Sequence, residues 1–398
     1  MSDIQPAIAP IPPTMEVGYN YPWPFNRYGT VIGPRDLENE PPLGNNSDVP
    51  IFRDLTTHPP EGSLARNLTF LRDELRIKKV RMFLLCNAWN YGSRPRVSKG
   101  LFFVPDLHPL FIKHFREMLE VFAAKEMQIL PSLIDFGAFY ELDVIGGGAG
   151  SGRTEIARGG RKKFFDTVLK PFLAVSSEPA LRKTILAWEV INEPRWPLTN
   201  VSLINLLPGV PPRPHTSTLG NDLDQEEMST FIREALAIIE AAGFPSTVGH
   251  RFLGDLTRGS LAGPAMPGGT MPQFHYYAKV APAPAKLQIP GDPETIPDFA
   301  DLAGDARTKN AFIGEFHSFA NPEELEGRWP ECGGRDATLR SASFERLKVL
   351  ARKRYPLVFI WPDGGPKGAD QTDALKLRPD TILSIKDFTR GLFPNGVP

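Results

Sequence analysis

Two glutamates in this chain stand where short apolar runs stop, and two carboxyl groups brought together can move protons and attack an electrophilic carbon. Glu193 closes the run Ile185-Leu-Ala-Trp-Glu-Val-Ile-Asn-Glu-Pro194, and Glu315 sits in Asn310-Ala-Phe-Ile-Gly-Glu-Phe-His-Ser318. A short run rich in Ile, Val and Trp, closed by a proline that cannot donate to a sheet ladder, reads as a buried parallel strand whose last residues emerge at its carboxyl end. A carboxyl group carried out of such a strand into a cleft loses hydration, so its pKa rises, and a raised pKa suits a general acid. Like charges held close cannot both ionise cheaply, so an ionised Glu315 would help keep Glu193 protonated.

Other polar residues interrupt apolar runs in the same way. Arg81 lies within Lys79-Val-Arg-Met-Phe-Leu-Leu-Cys-Asn87. A buried guanidinium needs a carboxylate partner, either a catalytic glutamate or a purely structural one. In Met271-Pro-Gln-Phe-His-Tyr-Tyr-Ala278, His275 and Tyr277 alternate onto one side of a strand, which points an imidazole and a phenol into one cleft; a satisfied core histidine is the alternative. Tyr21, Trp23 and Asn26 follow a first strand at Val17, and Asn87, Trp89 and Asn90 follow the second. Asp135 ends the third strand, Trp196 follows the fourth, and Trp361 and Asp363 close the last. Aromatic faces of this kind either stack on pyranose rings or pack the rim of the fold, and Asp363 either bonds a hydroxyl or caps a turn.

Strands are needed to hold these side chains, and the chain supplies eight. They fall at about Val17, Lys79–Asn87, Met127–Asp135, from Ile185, within Phe244–Leu253, Met271–Ala278, Asn310–Ser318 and Leu357–Asp363. Between them, helical periodicity marks Leu64–Lys79, Phe111–Lys125, Phe164–Val175 (bent or ended near Pro171), Gln225–Ala242 and Phe344–Arg354, with a final helix at about Thr381–Leu392. Strands interleaved with helices predict an α/β fold, a single-domain (β/α)8 TIM barrel over residues 15–398 after an N-terminal extension at 1–14. The proline-rich stretch 195–220 and the glycine-rich stretch 146–160 exceed the usual connection length, and long loops on the carboxyl face of a barrel carry specificity.

Asn192-Glu193-Pro194 closing the fourth strand resembles glycoside hydrolase clan A, the cellulase-like superfamily typified by glycoside hydrolase family 5, and Ile313-Gly-Glu-Phe316 looks like that clan's nucleophile strand. The resemblance implies a retaining glycosidase, cellulase- or mannanase-like, acting on a β-linked oligo- or polysaccharide or glycoconjugate. It implies Glu193 as acid/base and Glu315 as nucleophile. Asn192 would bond the sugar 2-hydroxyl, Arg81 with Tyr277 would hold the nucleophile, His275 would support the pair, and Trp361 would lie under the catalytic sugar. Asp135-Phe136 departs from the family pattern, which often has histidine at the end of strand three.

Composition narrows the alternatives. Of 398 residues, 41% are hydrophobic and 23% charged, so a large core can be buried, and a formal net charge of -1 without a basic block argues against nucleic acid as partner. The N-terminus lacks a basic start and an apolar segment of signal-peptide length, from which a cytoplasmic protein is expected, and no stretch approaches a membrane span. Cys86 and Cys332 are the only cysteines, giving neither a disulfide framework nor a zinc spacing. Gly147-Gly-Ala-Gly-Ser-Gly-Arg-Thr154 differs from a phosphate-binding loop at one residue, carrying Arg153 where that loop has lysine, and no compact strand runs directly into the glycines. The expected partner is carbohydrate, with no metal or cofactor required. A transglycosidase using the same residues and a non-catalytic saccharide-binding barrel remain alternatives.

Overall fold

Strands that are apolar on both faces need cover on both, and a closed parallel barrel ringed by helices provides it. The computed structural model describes residues 15–21, 64–85, 107, 109–136, 156–195, 198, 223–251, 253–257, 265–277, 296–317, 347–361 and, in pieces, 382–389. Its strands are β1 (Glu16–Asn20), β2 (Lys79–Leu85), β3 (Gln128–Asp135), β4 (Trp188–Asn192), β5 (Ser246–His250), β6 (Gln273–Tyr277), β7 (Phe312–His317) and β8 (Leu357–Ile360). They close in chain order, β1 pairing with both β2 and β8, and every pairing is parallel. The TIM barrel expected from the alternation of strands and helices is thus the fold. The extension assigned to residues 1–14 lies outside the described residues.

The helices are α1 (Leu64–Leu75), α2 (Pro109–Ala124), α3 (Arg161–Phe164), α4 (Lys170–Ser176), α5 (Gln225–Ala241), α6 (Leu253–Thr257) and α7 (Phe299–Ala303), with α8 at 347–352. A capping box starts α5: the Asp224 carboxylate accepts from Glu227 N and the Glu227 carboxylate from Asp224 N.

Two boundaries differ from the sequence pattern. The helix read as bent or ended near Pro171 does not end there: α3 runs through a π-helical turn at Phe165–Leu169 into α4, whose second residue is Pro171. The fourth strand starts at Trp188 instead of Ile185. A 3-10 turn at Arg182–Thr184 delivers the chain to the sheet, and Ile185 makes an isolated bridge to Ile129.

Inside the barrel, Leu130, Ala187, Phe312, Leu357 and Phe359 form an apolar cluster apart from the main core. Two residues further along the same strands come Ser132, Glu189 and Gly314, which the two-residue period of a strand puts on the same face one layer higher. An apolar floor therefore lies beneath a polar layer.

The main core fills the space between strands and helices. Trp188 is fully buried there, with ring centroids 5.6 Å from Phe115 on α2 and 6.2 Å from Phe172 on α4. Trp188→Ala should lower the free energy of unfolding by about 3–5 kcal/mol, the usual cost of emptying a large aromatic site, measured by denaturant titration followed by circular dichroism.

Candidate active site

Arg81 sits level with the end of β1, since Asn20 pairs with Arg81 in the sheet register. Its side chain is completely buried, and its five N–H donors meet five acceptors. Nε donates to Glu189 Oε2 at 2.6 Å and Nη2 to Glu189 Oε1 at 2.6 Å. Nη2 also donates to Asn192 Oδ1 at 2.7 Å, and Nη1 to Asn20 Oδ1 at 2.9 Å and Glu315 Oε1 at 2.6 Å. Burial opposes the Arg81 charge, but Glu189 and Glu315 outweigh it and hold its pKa above the ordinary guanidinium range.

This hub orders its neighbours. Asn20 Nδ2 donates to the Gly314 carbonyl at 3.0 Å and the Phe359 carbonyl at 3.2 Å, tying β1 to β7 and β8. Ser132 Oγ donates to Glu189 Oε1 at 3.1 Å. Where β5 passes the cluster only glycine fits: a Cβ on Gly249 would stand 2.6 Å from Glu189 Oε1 and 3.0 Å from Asn192 Oδ1. The network also fixes the Asn192 amide, whose oxygen faces Arg81 while Nδ2 donates to Asp135 Oδ1 at 2.9 Å.

Glu193 leaves β4 in an unusual backbone state. Among the described residues four non-glycine residues have positive φ; Arg76, Glu126 and Arg354 follow helices, whereas Glu193, at 49°, follows a strand. A left-handed residue with a Cβ costs about 1–2 kcal/mol, so the surroundings must impose it. One restraint is the Glu193 N–H, which donates to the Gly249 carbonyl at 2.7 Å.

The turn aims Glu193 at His275, with Glu193 Oε1 2.9 Å from Nδ1. Glu315 Oε2 lies 3.4 Å from the same nitrogen, and His275 and Glu315 are sheet partners on β6 and β7. All three side chains are buried, and one ligand atom from each lies within 4.8 Å of the others. Such a trio could ligate a metal ion or share protons across a cavity.

Asp135 is partly buried, and burial pushes its carboxyl up to about 8; the Asn192 hydrogen bond opposes the shift, and Glu193 and Glu315 add to it. Nearby, His250 is held down to about 3 by burial, helped by Arg195 and His275 and opposed by its hydrogen bond with the Pro267 carbonyl.

The structure thus gathers Arg81 from within β2, Asp135 and Asn192 from the ends of β3 and β4, Glu193 from just beyond β4, and His275 and Glu315 from within β6 and β7. Trp361 follows β8, half-buried, edge-on to Phe83 at 6.4 Å, and the Arg81 guanidinium lies 4.8 Å above the same Phe83 ring. Tyr277 ends β6 in register with His317. Tyr21, expected as either a sugar contact or a packing residue, is placed in the main core: it is 1% exposed, and its hydroxyl accepts from Asn67 Nδ2 of α1 at 2.7 Å. Trp23, Asn26, Asn87, Trp89, Asn90, Trp196, Asp363 and the glycine-rich 147–154 stretch lie outside the described residues.

Sequence reasoning passed over Asn20 and Glu189. The signal for Glu189 was available, a charged residue inside a buried apolar run, the feature that singled out Arg81. Asn20 gave none, because one amide at a strand end is common.

No protein-family model matches the chain, and no curated protein matches it by sequence. Solved structures do. A β-mannanase from the blue mussel Mytilus edulis is 13% identical, with TM-score 0.52 over 94% of this chain and 92% of its own. A β-1,4-D-mannanase from Cryptopygus antarcticus is 14% identical, with TM-score 0.52 over 91% and 89%. A family 5 lichenase from Caldicellulosiruptor sp. F32 is 11% identical, with TM-score 0.50 over 98% and 97%. At 11–14% identity the likeness is one of fold: these proteins and this chain share the closed parallel barrel.

A carboxyl group whose pKa is raised by folding keeps its proton in the native state while the unfolded chain loses it, so its contribution to stability falls as pH rises between its unfolded and folded values. For Asp135 that window runs from the ordinary carboxylate range up to about 8. Asp135→Asn should therefore flatten the loss of unfolding free energy between pH 5 and 8, by up to about 1.4 kcal/mol per pH unit relative to the native protein, measured by urea titration at each pH.

Proposed function

We propose that this chain is a retaining glycoside hydrolase that cleaves β-linked saccharides, with Glu315 as nucleophile and Glu193 as acid/base. The observation that carries the reading is the convergence of the two carboxyl groups on one imidazole nitrogen, at 2.9 and 3.4 Å. The approach of one oxygen of each group to within 4.8 Å supports the close pairing of retaining enzymes, whose carboxyl groups stand roughly 5–5.5 Å apart.

In the first step Glu315 attacks the anomeric carbon, the glycosidic bond breaks, and the Glu193 proton passes to the departing oxygen. In the second, Glu193 takes a proton from water, the water oxygen bonds to the anomeric carbon, and the bond to Glu315 breaks. Arg81 holds Glu315 Oε1. A carboxylate anchored at one oxygen loses rotational freedom and presents the other in a defined direction, which is how a fixed nucleophile lowers the entropy cost of attack. His275 lies where it can steady either carboxyl as charge moves between them. Asn192, fixed by Arg81 on one side and Asp135 on the other, would bond the sugar 2-hydroxyl, a contact that strengthens as positive charge develops on the ring.

The barrel likeness to mannanases and a lichenase makes β-mannans and mixed-linkage β-glucans the first substrates to try. No step needs a metal or cofactor, so activity should survive EDTA. Among the described residues no helix is long and apolar enough to cross a membrane.

The test is a screen of aryl β-glycosides, mannan and lichenan with the first-formed product followed by proton NMR. A β-anomer appearing before mutarotation is expected, and an α-anomer would exclude double displacement. On any substrate that the native protein cleaves, Glu315→Ala should lower kcat by about 10⁴-fold or more, and native activity in that variant would remove Glu315 from the mechanism.

A further inference from the structure

The turn that carries Glu193 ends in a buried ion pair that the mechanism above does not use. Arg195 pairs through Nε with Oδ1 of Asp255, and the two side chains are 5% and 1% exposed. Asp255 belongs to α6, the short helix after β5, and its backbone carbonyl accepts from Met266 N at 2.9 Å, which ties α6 to the segment leading into β6. The carboxylate partner of Arg195 is therefore mounted on fixed backbone.

One structural unit thus restrains both ends of a three-residue turn. At its start the Glu193 N–H is bound by the Gly249 carbonyl of β5; at its end Arg195 is bound by Asp255 just beyond β5. Between them Pro194 has its φ fixed by its ring. Glu193 itself has a φ of 49°, a state that persists only where the surroundings over-determine it. A buried ion pair adds little net stability, because desolvation offsets its attraction, but it does fix geometry. Released at Arg195, the turn can relax, and the Glu193 carboxyl would then leave the position it holds against His275.

We propose that Arg195 and Asp255 are positioning residues, a clamp that keeps Glu193 left-handed and its carboxyl aimed at the oxygen of the departing alcohol. This rests on the reading of Glu193 as acid/base. It separates the pair from Arg81, which acts on the nucleophile: the clamp serves the proton transfer and leaves the attack of Glu315 untouched.

The distinction can be measured through the leaving group. Arg195→Lys keeps the charge but loses the planar fork, and Asp255→Asn keeps the shape but loses the charge. Both are compared with the native full-length protein on two glycosides of the sugar it cleaves best. One carries 2,4-dinitrophenol, which departs without a proton, and the other 4-methoxyphenol, which needs the acid. A displaced acid should lower kcat/KM, which reports the first step alone, by about 10–100-fold on the methoxyphenyl substrate and by less than about threefold on the dinitrophenyl substrate. Labelling of Glu315 by a 2-fluoro dinitrophenyl glycoside, followed by mass spectrometry, should proceed at the native rate.

Since breaking a buried pair can unfold the barrel, the Tm of each variant is recorded, and an Arg195→Met, Asp255→Leu double variant removes both charges together. It should fold and show the same selective loss. Equal losses on the two substrates, or native rates in the folded double variant, overturn the clamp while leaving the glycosidase reading intact. A native protein that cleaves neither substrate nor any saccharide in the screen overturns that reading and the clamp with it.

Discussion

A guanidinium taken fully out of water has to be met by acceptors on every side, and that requirement at Arg81 organises the barrel's carboxyl end. Removing such an ion from water costs several kcal/mol, recovered only when partners are well placed. Here the acceptors come from Asn20, Glu189, Asn192 and Glu315, so one side chain on β2 constrains the ends of β1, β4 and β7. A strand slipped by one residue would turn its acceptor to the other face of the sheet and leave a donor unmet. The charge therefore fixes register as well as holding a carboxylate.

The layering beneath the hub follows from the same need. Water must not reach Arg81 from below, and the cluster of Leu130, Ala187, Phe312, Leu357 and Phe359 closes the barrel there. Above it several polar residues share the Arg81 guanidinium. Glu189 takes two of its nitrogens and Glu315 a third. Asp135 is pushed toward its protonated form chiefly by burial, with Glu193 and Glu315 adding to the shift and its hydrogen bond from Asn192 opposing it.

Glu193 shows the other constraint, backbone strain held by flanking contacts. The left-handed turn is not a local preference of Asn-Glu-Pro; it is imposed where β4 meets β5 and the helix after it. Low sequence identity to the mannanase and lichenase barrels is compatible with this architecture, since parallel strands with apolar faces and helices to cover them can be met by many sequences.

Much of the fold was legible because its signals are local. Eight apolar runs separated by helical periodicity specify a barrel before any contact is known, and a charged residue inside such a run, as at Arg81, announces a buried partner. Glu193 and Glu315 stood out because proline and glycine mark where strand gives way to site. The partners were not legible. Nothing in the spacing of Glu189, Asn20 and Asp255 says which cation each will meet, because strands far apart in the chain become neighbours only when the sheet closes, and the boundary near Ile185 shifted because tertiary packing placed a 3-10 turn there. The sequence by itself determined the strands and the chemical groups at their ends. The tertiary structure alone decided that Arg81 binds Glu189 as well as Glu315, that Tyr21 packs in the core, and that two distant glutamates meet at one imidazole, since each depends on how strands turn their faces toward a common axis.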